Sequence, residues 1–241
     1  MRARQRHFNP RDAGANLVYD SRRVYGLSDN DPVSTWPDIS RNAYDATATS
    51  TARPLYRTGN QGGNPALRFD GVNDQMVIPV GPAANTGAGH EVQVVIKQIS
   101  FTTQYPTIVD LKSNVSSNWV LFFSNNSVYN WIGFGGPNNW SRLRWNTAAD
   151  TNCNILNVNY NGNGSTTGGN FKIVFNGLER TLSASGEYGP NTSDAGIGAE
   201  QNNFWNNADF YQIALINSSA SDSLRKRLNH AAAFSFKIAC N

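Results

Sequence analysis

A chain of 241 residues with 39% hydrophobic and 11% aromatic content holds enough apolar material for a packed core, which excludes disorder of the whole chain. Its 15% charged residues and formal charge of +3, with basic clusters at Arg2, Arg4, Arg6 and at Arg225, Lys226, Arg227, lack the interleaved basic patch of a nucleic-acid binder. No apolar run approaches the ~20 residues of a membrane span, residues 1–20 lack the apolar core of a secretory signal, and Cys153 and Cys240 are too few for a disulfide framework or a Cys-rich zinc site. The expectation is one domain made in the cytoplasm, with no membrane insertion, no nucleic acid and both cysteines reduced.

Residues 1–65 show almost no apolar periodicity and carry Pro10, Pro32, Pro37, Pro54 and Pro65 among Asp, Asn and Ser. They read as an irregular N-terminal wrap of the same domain. At 66–71 the texture changes: Leu67 and Phe69 alternate with polar partners and Asp70-Gly71 marks a turn. Residues 75–80 form the next strand, joined through Val72-Asn73-Asp74 by a hairpin or a tight corner. Residues 91–99 put Val92, Val94 and Ile96 on one face and Glu91, Gln93, Val95 and Lys97 on the other, the pattern of a half-buried antiparallel strand.

Further strands are expected at 106–111, 118–124, 128–134, 141–145, 154–160, 171–175 and 178–183, separated by Asn, Gly, Ser and Pro. Asn176-Gly177 between two such runs calls for a type I′ hairpin, because both residues accept positive φ. After a strand at 209–217, Ser219 or Ser221 offers an N-cap for a helix. Leu224, Leu228, Ala231 and Ala232 would face the sheets, with Arg225, Lys226 and Arg227 on the wet side. Phe234, Phe236 and Ile238 then alternate like a strand in a terminal tail. The pattern as a whole is all-β: a sandwich of two stacked antiparallel sheets over 66–220, with one C-terminal helix and tail in 221–241.

Three stretches combine: Trp36-Pro37-Asp38-Ile39-Ser40-Arg41-Asn42, then Asn64-Pro65-Ala66-Leu67-Arg68-Phe69-Asp70-Gly71-Val72-Asn73-Asp74, then Phe210-Tyr211-Gln212-Ile213-Ala214-Leu215-Ile216-Asn217 ahead of the helix. In this order the chain resembles the concanavalin A-like, laminin G-like jelly rolls. The resemblance implies a fold used to bind glycans or proteins, sometimes with calcium at one rim. With its N-terminal wrap, basic helix and apolar tail, it is similar to virion proteins of tailed bacteriophages. The same superfold also hosts glycoside hydrolases, so chemistry has to be argued from residues.

Glycoside hydrolysis needs two carboxyl groups flanking one bond. The only glutamates, Glu91, Glu179, Glu187 and Glu200, are dispersed and read as solvated charges. His7, His90 and His230 share no metal-ligand spacing, and neither a nucleophile elbow nor a phosphate loop is present. Asp70, Asn73 and Asp74 are weak candidates for calcium, with a tight turn as the favoured reading and no cofactor expected.

The most informative region is 118–145, where Trp119, Trp131, Trp140 and Trp145 are interleaved with Asn. Flat rings cover apolar sugar faces, and amides offer donors and acceptors to hydroxyls. Trp131, Asn138, Asn139 and Trp140, with Trp205 and Asn206 from a second cluster, are therefore the candidate glycan-binding residues. A core or subunit contact is the competing reading for any one tryptophan.

The function expected is non-enzymatic binding at a bacteriophage virion surface, as a capsid decoration protein or a tail or fibre adhesion module. Its partners would be other virion proteins, copies of itself or a host-surface glycan. Arg2, Arg4, Arg6, Phe234, Phe236 and Ile238 are the candidate subunit contacts, because extended ends gain order on a partner. The alternatives are a freestanding lectin and, behind it, a glycoside hydrolase.

Overall fold

The computed structural model describes residues 9–79, 89–100, 106–111, 118–122, 129–136, 139–146, 151–160, 171–188, 196–199, 205–217 and 221–238, with the backbone alone for 111–146, Tyr160 and 183–188. Its strands run in chain order β1 (Leu17–Asp20), β2 (Thr35–Trp36), β3 (Ala46–Thr47), β4 (Leu55–Arg57), β5 (Ala66–Asp70) and β6 (Met76–Val77). There follow β7 (His90–Ser100), β8 (Thr107–Leu111), β9 (Asn118–Phe122), β10 (Tyr129–Gly136), β11 (Asn139–Asn146) and β12 (Cys153–Tyr160). The last are β13 (Phe171–Phe175), β14 (Leu178–Arg180), β15 (Leu182–Tyr188), β16 (Gly196–Ile197) and β17 (Asn207–Ile216), and then helix α1 (Asp222–Phe236).

Two antiparallel sheets stack as a sandwich. The first has the order β14-β13-β12-β7-β17-β5-β4, with β1 also paired to β17; the second runs β15-β11-β10-β9-β8-β16-β6-β3-β2. Val92, Val94, Ile96, Phe69 and Phe210 of the first sheet pack on Met76, Ile108, Val109 and Ile197 of the second, all fully buried. Burial of this kind is the main favourable term holding the layers together. The expected junction after Asp70 is a corner and not a hairpin: β5 pairs with β17 and β4 in one sheet, β6 with β16 and β3 in the other. Asn176 and Gly177 take φ of 50° and 85°, as a type I′ turn requires.

The N-terminal region departs from the irregular wrap expected of it. Leu17, Val18 and Tyr19 of β1 are fully buried and lie opposite Leu215, Ala214 and Ile213 of β17. Asp38 fastens this strand: its carboxylate accepts the Val18 N–H at 2.8 Å, the Ser40 N–H at 2.9 Å and the Tyr44 N–H at 3.0 Å. Trp36, also fully buried, packs on Tyr19 with ring centroids 5.4 Å apart. These strands are two to four residues long, too short for alternation to show in a sequence, and they bind the wrap to its own domain.

β7 corrects a second expectation. It is the central strand of its sheet, and Glu91, Gln93 and Val95 are as buried as Val92, Val94 and Ile96. What covers the second face is α1, capped by the Ser221 hydroxyl, which accepts the Leu224 N–H. Leu228 and Ala232 face the sheet, but Arg225 and Asn229 lie there too, 5% exposed each, so Arg225 is not on the wet side. The helix continues through Phe236 and ends at Lys237 in a left-handed cap, so the alternating residues 234–238 form no strand. Phe236 stacks edge-on against Tyr211 at 5.7 Å, and Ile238 joins the same buried cluster, which removes both from the expected subunit contacts. Phe234 is 67% exposed; Arg2, Arg4 and Arg6 lie outside the described residues.

Candidate functional site

Strand register sorts the tryptophans of the second sheet onto two faces. Leu121 of β9 lies opposite Val109, and the register runs on through Ile197 to Met76, which is fully buried in the inter-sheet core while its neighbour Val77 is 42% exposed, so this row lies on the face toward the first sheet. Alternation carries that face through Trp119, Ile132, Phe134, Leu143 and Trp145. The opposite face takes Tyr129, Trp131, Gly133 and Gly135 of β10, with Trp140, Arg142 and Arg144 of β11 beside them. One cross-strand row there reads Asn118, Gly135, Trp140, Tyr188. Two of the four tryptophans in 118–145, Trp131 and Trp140, thus share a face, separated by glycine positions that carry no side chain. Glycine inside a strand leaves room for another molecule to approach the backbone closely.

The remaining glycan candidates are placed differently. Asn139 and Trp140 begin β11, Asn139 falls on the face of Trp145, and Asn138 lies outside the described residues. Asn206 is fully buried: its Nδ2 donates to the Thr107 carbonyl at 3.0 Å and its Oδ1 accepts from Gln98 Nε2 at 2.7 Å. It satisfies groups that would otherwise be buried without partners where β7, β8 and β17 meet, and it is a brace and not a sugar ligand. Trp205 beside it is half-buried.

The Asp70–Asp74 corner is a turn built on its own carboxylates. Asp70 Oδ1 accepts the N–H groups of Val72, Asn73 and Asp74 at 2.8, 3.1 and 3.4 Å, and Asp74 Oδ2 accepts that of Asp70 at 2.8 Å. Burial, and then the charge of Asp70, push Asp74 up to about 7. A calcium ion asks for six to eight oxygens. Backbone donors already hold Asp70 Oδ1 and Asp74 Oδ2, as a turn requires, and among the described residues no three His, Cys, Asp or Glu side chains gather to hold a metal.

A polar layer beneath α1 was not anticipated. Gln93 Nε2 donates to Asn157 Oδ1 at 3.0 Å, Asn157 Nδ2 to Asn229 Oδ1 at 2.6 Å, and Asn229 Nδ2 to the Arg225 carbonyl at 3.2 Å. Beside this relay Arg225 Nε sits 3.3 Å from Glu91 Oε2, and Arg225 Nη1 donates to Asp222 at 2.7 Å. Burial lifts the Glu91 carboxyl to about 7, against the opposing pull of the Arg225 charge and the Asn159 amide. Glu91 is therefore no solvated charge. The signal for it was Asn157 and Asn159 at alternate positions of one strand, matched by Arg225 and Asn229 one helical turn apart.

No family model and no curated protein matches the chain. Its structural matches among solved proteins include domain 4 of AbnA, a GH43 extracellular arabinanase from Geobacillus stearothermophilus, in complex with arabinotriose, at TM-score 0.56 and 13% identity over 85% of this chain and 100% of that one. The botulinum neurotoxin serotype D binding domain matches at TM-score 0.57 and 11% identity, covering 90% of this chain and 52% of its own. Trypanosoma rangeli sialidase bound to the inhibitor DANA matches at TM-score 0.56 and 14% identity, over 88% of this chain. The likeness is one of fold. The chain is a β-sandwich of this architecture, and it spans 32% of the sialidase chain it matches.

Proposed function

We propose that this β-sandwich is a non-enzymatic glycan-binding module that receives neutral sugar on the second sheet's face away from the first. The observation that carries the reading is the register of β10 and β11, which assembles Trp131, Trp140 and Tyr129 around the lane of Gly133 and Gly135. Aromatic positions supply area for sugar faces, and Asn118, Arg142 and Arg144 on the same face supply donors for hydroxyls. The fold match to an arabinanase domain in complex with arabinotriose is in keeping with it. In favour of binding without turnover, Asp20, Asp209 and Glu91 are each held by an arginine, at 2.6, 2.7 and 3.3 Å. The finer placement, at a phage virion surface as a decoration or tail-fibre module touching other virion proteins or its own copies, rests on the resemblance of the three sequence stretches. A freestanding lectin uses the same face.

A glycan array followed by calorimetry tests the reading. Trp131→Ala and Trp140→Ala each remove a stacking ring, and a central aromatic contact of about 2 kcal/mol corresponds to roughly thirtyfold in Kd. Binding unchanged in both variants, or polysaccharide turnover by the wild type, would overturn it.

A further inference from the structure

On the opposite side of the sandwich, a cavity of about 580 Å³ opens between α1 and the turn after β1. Gln93 and Gln212 form its floor, Arg22, Arg23 and Lys237 stand on its walls, and Phe234 flanks it. Gln212 reaches this side because β17 bulges between Phe210 and Gln212: Phe210 and Ile213 enter the inter-sheet core while Tyr211 packs under the helix.

The Gln93 side chain is 1% exposed, and its orientation is dictated by chemistry. The relay ends on the Arg225 carbonyl, which can only accept, so Asn229, Asn157 and Gln93 must each donate through nitrogen in the same direction. Gln93 Oε1 is thereby turned away from Asn157, and it has no hydrogen-bond partner among the described residues. An acceptor buried without a donor is costly, so a donor from outside the chain is what this atom suits.

The walls add charge. Asp20 accepts Arg22 through both oxygens, at 2.8 and 2.6 Å, and the Arg22 guanidinium lies 4.6 Å over the Phe236 ring, which fixes it in place. Arg23 donates to the Tyr25 hydroxyl at 3.0 Å and Lys237 is exposed; neither meets a carboxylate within ion-pair distance among the described residues. Three cations thus face one anion. A volume of this size suits a small ligand.

We propose that this cavity is a second binding site, taking a carboxylated sugar whose hydroxyl donates to Gln93 Oε1 and whose carboxylate meets Arg23 and Lys237. Inorganic phosphate supplies the charge without the sugar ring, and a neutral hexose supplies hydroxyls without the charge. The site is independent of the Trp131 and Trp140 face.

Calorimetry on the full chain with galacturonate, galactose and inorganic phosphate decides it. Galacturonate is expected to bind, with galactose and phosphate each at least about tenfold weaker. Arg23→Gln with Lys237→Gln, both at exposed positions, should cost galacturonate on the order of tenfold, while Trp140→Ala leaves it unchanged. Galacturonate that fails to bind, that phosphate equals, or that Trp140→Ala abolishes while the double variant retains it, overturns the proposal. Loss of neutral-glycan binding in Trp140→Ala with galacturonate binding intact separates the two sites.

Discussion

Glu91 of β7 and Arg225 of α1 meet at 3.3 Å with side chains 1% and 6% exposed, an ion pair sealed between helix and sheet. Removing one member of such a pair strands the other, at about 3–5 kcal/mol. Here the stranded carboxyl has a way out, since burial already lifts it to about 7 and protonation neutralises it. Arg225→Met is therefore expected to cost about 3 kcal/mol at pH 8 and visibly less at pH 5. Urea denaturation at the two pH values measures this, and an equal loss at both would contradict it.

The same shift sets the pH dependence of the wild type. A carboxyl at 4.5 unfolded and about 7 folded makes the native state bind more protons than the unfolded state between those values. Stability then falls as pH rises from about 4.5 to about 7, by up to about 3 kcal/mol for Glu91. Asp74, raised to about 7 from 3.8, adds in the same direction. Melting temperature across pH 4.5–7.5 should decline, and Glu91→Gln with Asp74→Asn should flatten the slope. An unchanged slope in that double variant locates the protons elsewhere.

The contrast between β7 and the Asn176-Gly177 hairpin shows what the residues made legible. The hairpin is local: two residues that accept positive φ, Asn176 and Gly177, decide it, and the turn forms as expected. The burial of Glu91 and Gln93 is not local, because alternation records polarity and not what later packs on it. A polar strand face met by a polar helix face at Arg225 and Asn229 leaves the same pattern as one met by water. Phe234, Phe236 and Ile238 failed likewise: Phe236 lies four residues after Ala232 and eight after Leu228, a helical spacing that the shorter alternation hid. Of the candidate site, the tryptophan cluster was visible, but its division into two faces required the register.

Gly198 tests the inter-sheet packing that positions β16. Its φ is +82°, and a Cβ there would lie 2.2 Å from the Phe69 ring, itself stacked on Phe210 with centroids 4.9 Å apart. Both the backbone strain and the clash oppose a side chain, and the ring cannot retreat into a filled core. Gly198→Ala is expected to lose at least about 3 kcal/mol in chemical denaturation. Gly26→Ala, at φ +77° with open space around it, should lose no more than about 1–2 kcal/mol.

Gly133 separates binding from stability by moving them in opposite directions. It sits inside β10, between Val120 of β9 and Arg142 of β11 on the face of Trp131 and Trp140. Glycine within a strand weakens it, whereas a β-branched residue suits the pleated backbone. If the glycine lane exists for folding, Gly133→Val damages the sheet and lowers the melting temperature. If it is the floor over which sugar lies, Gly133→Val keeps or raises the melting temperature and lowers glycan affinity by about tenfold or more, because its branches occupy the space the ring needs. The second outcome is expected from differential scanning calorimetry paired with glycan titration. Unaltered affinity in a well-folded Gly133→Val protein would move the sugar off this face.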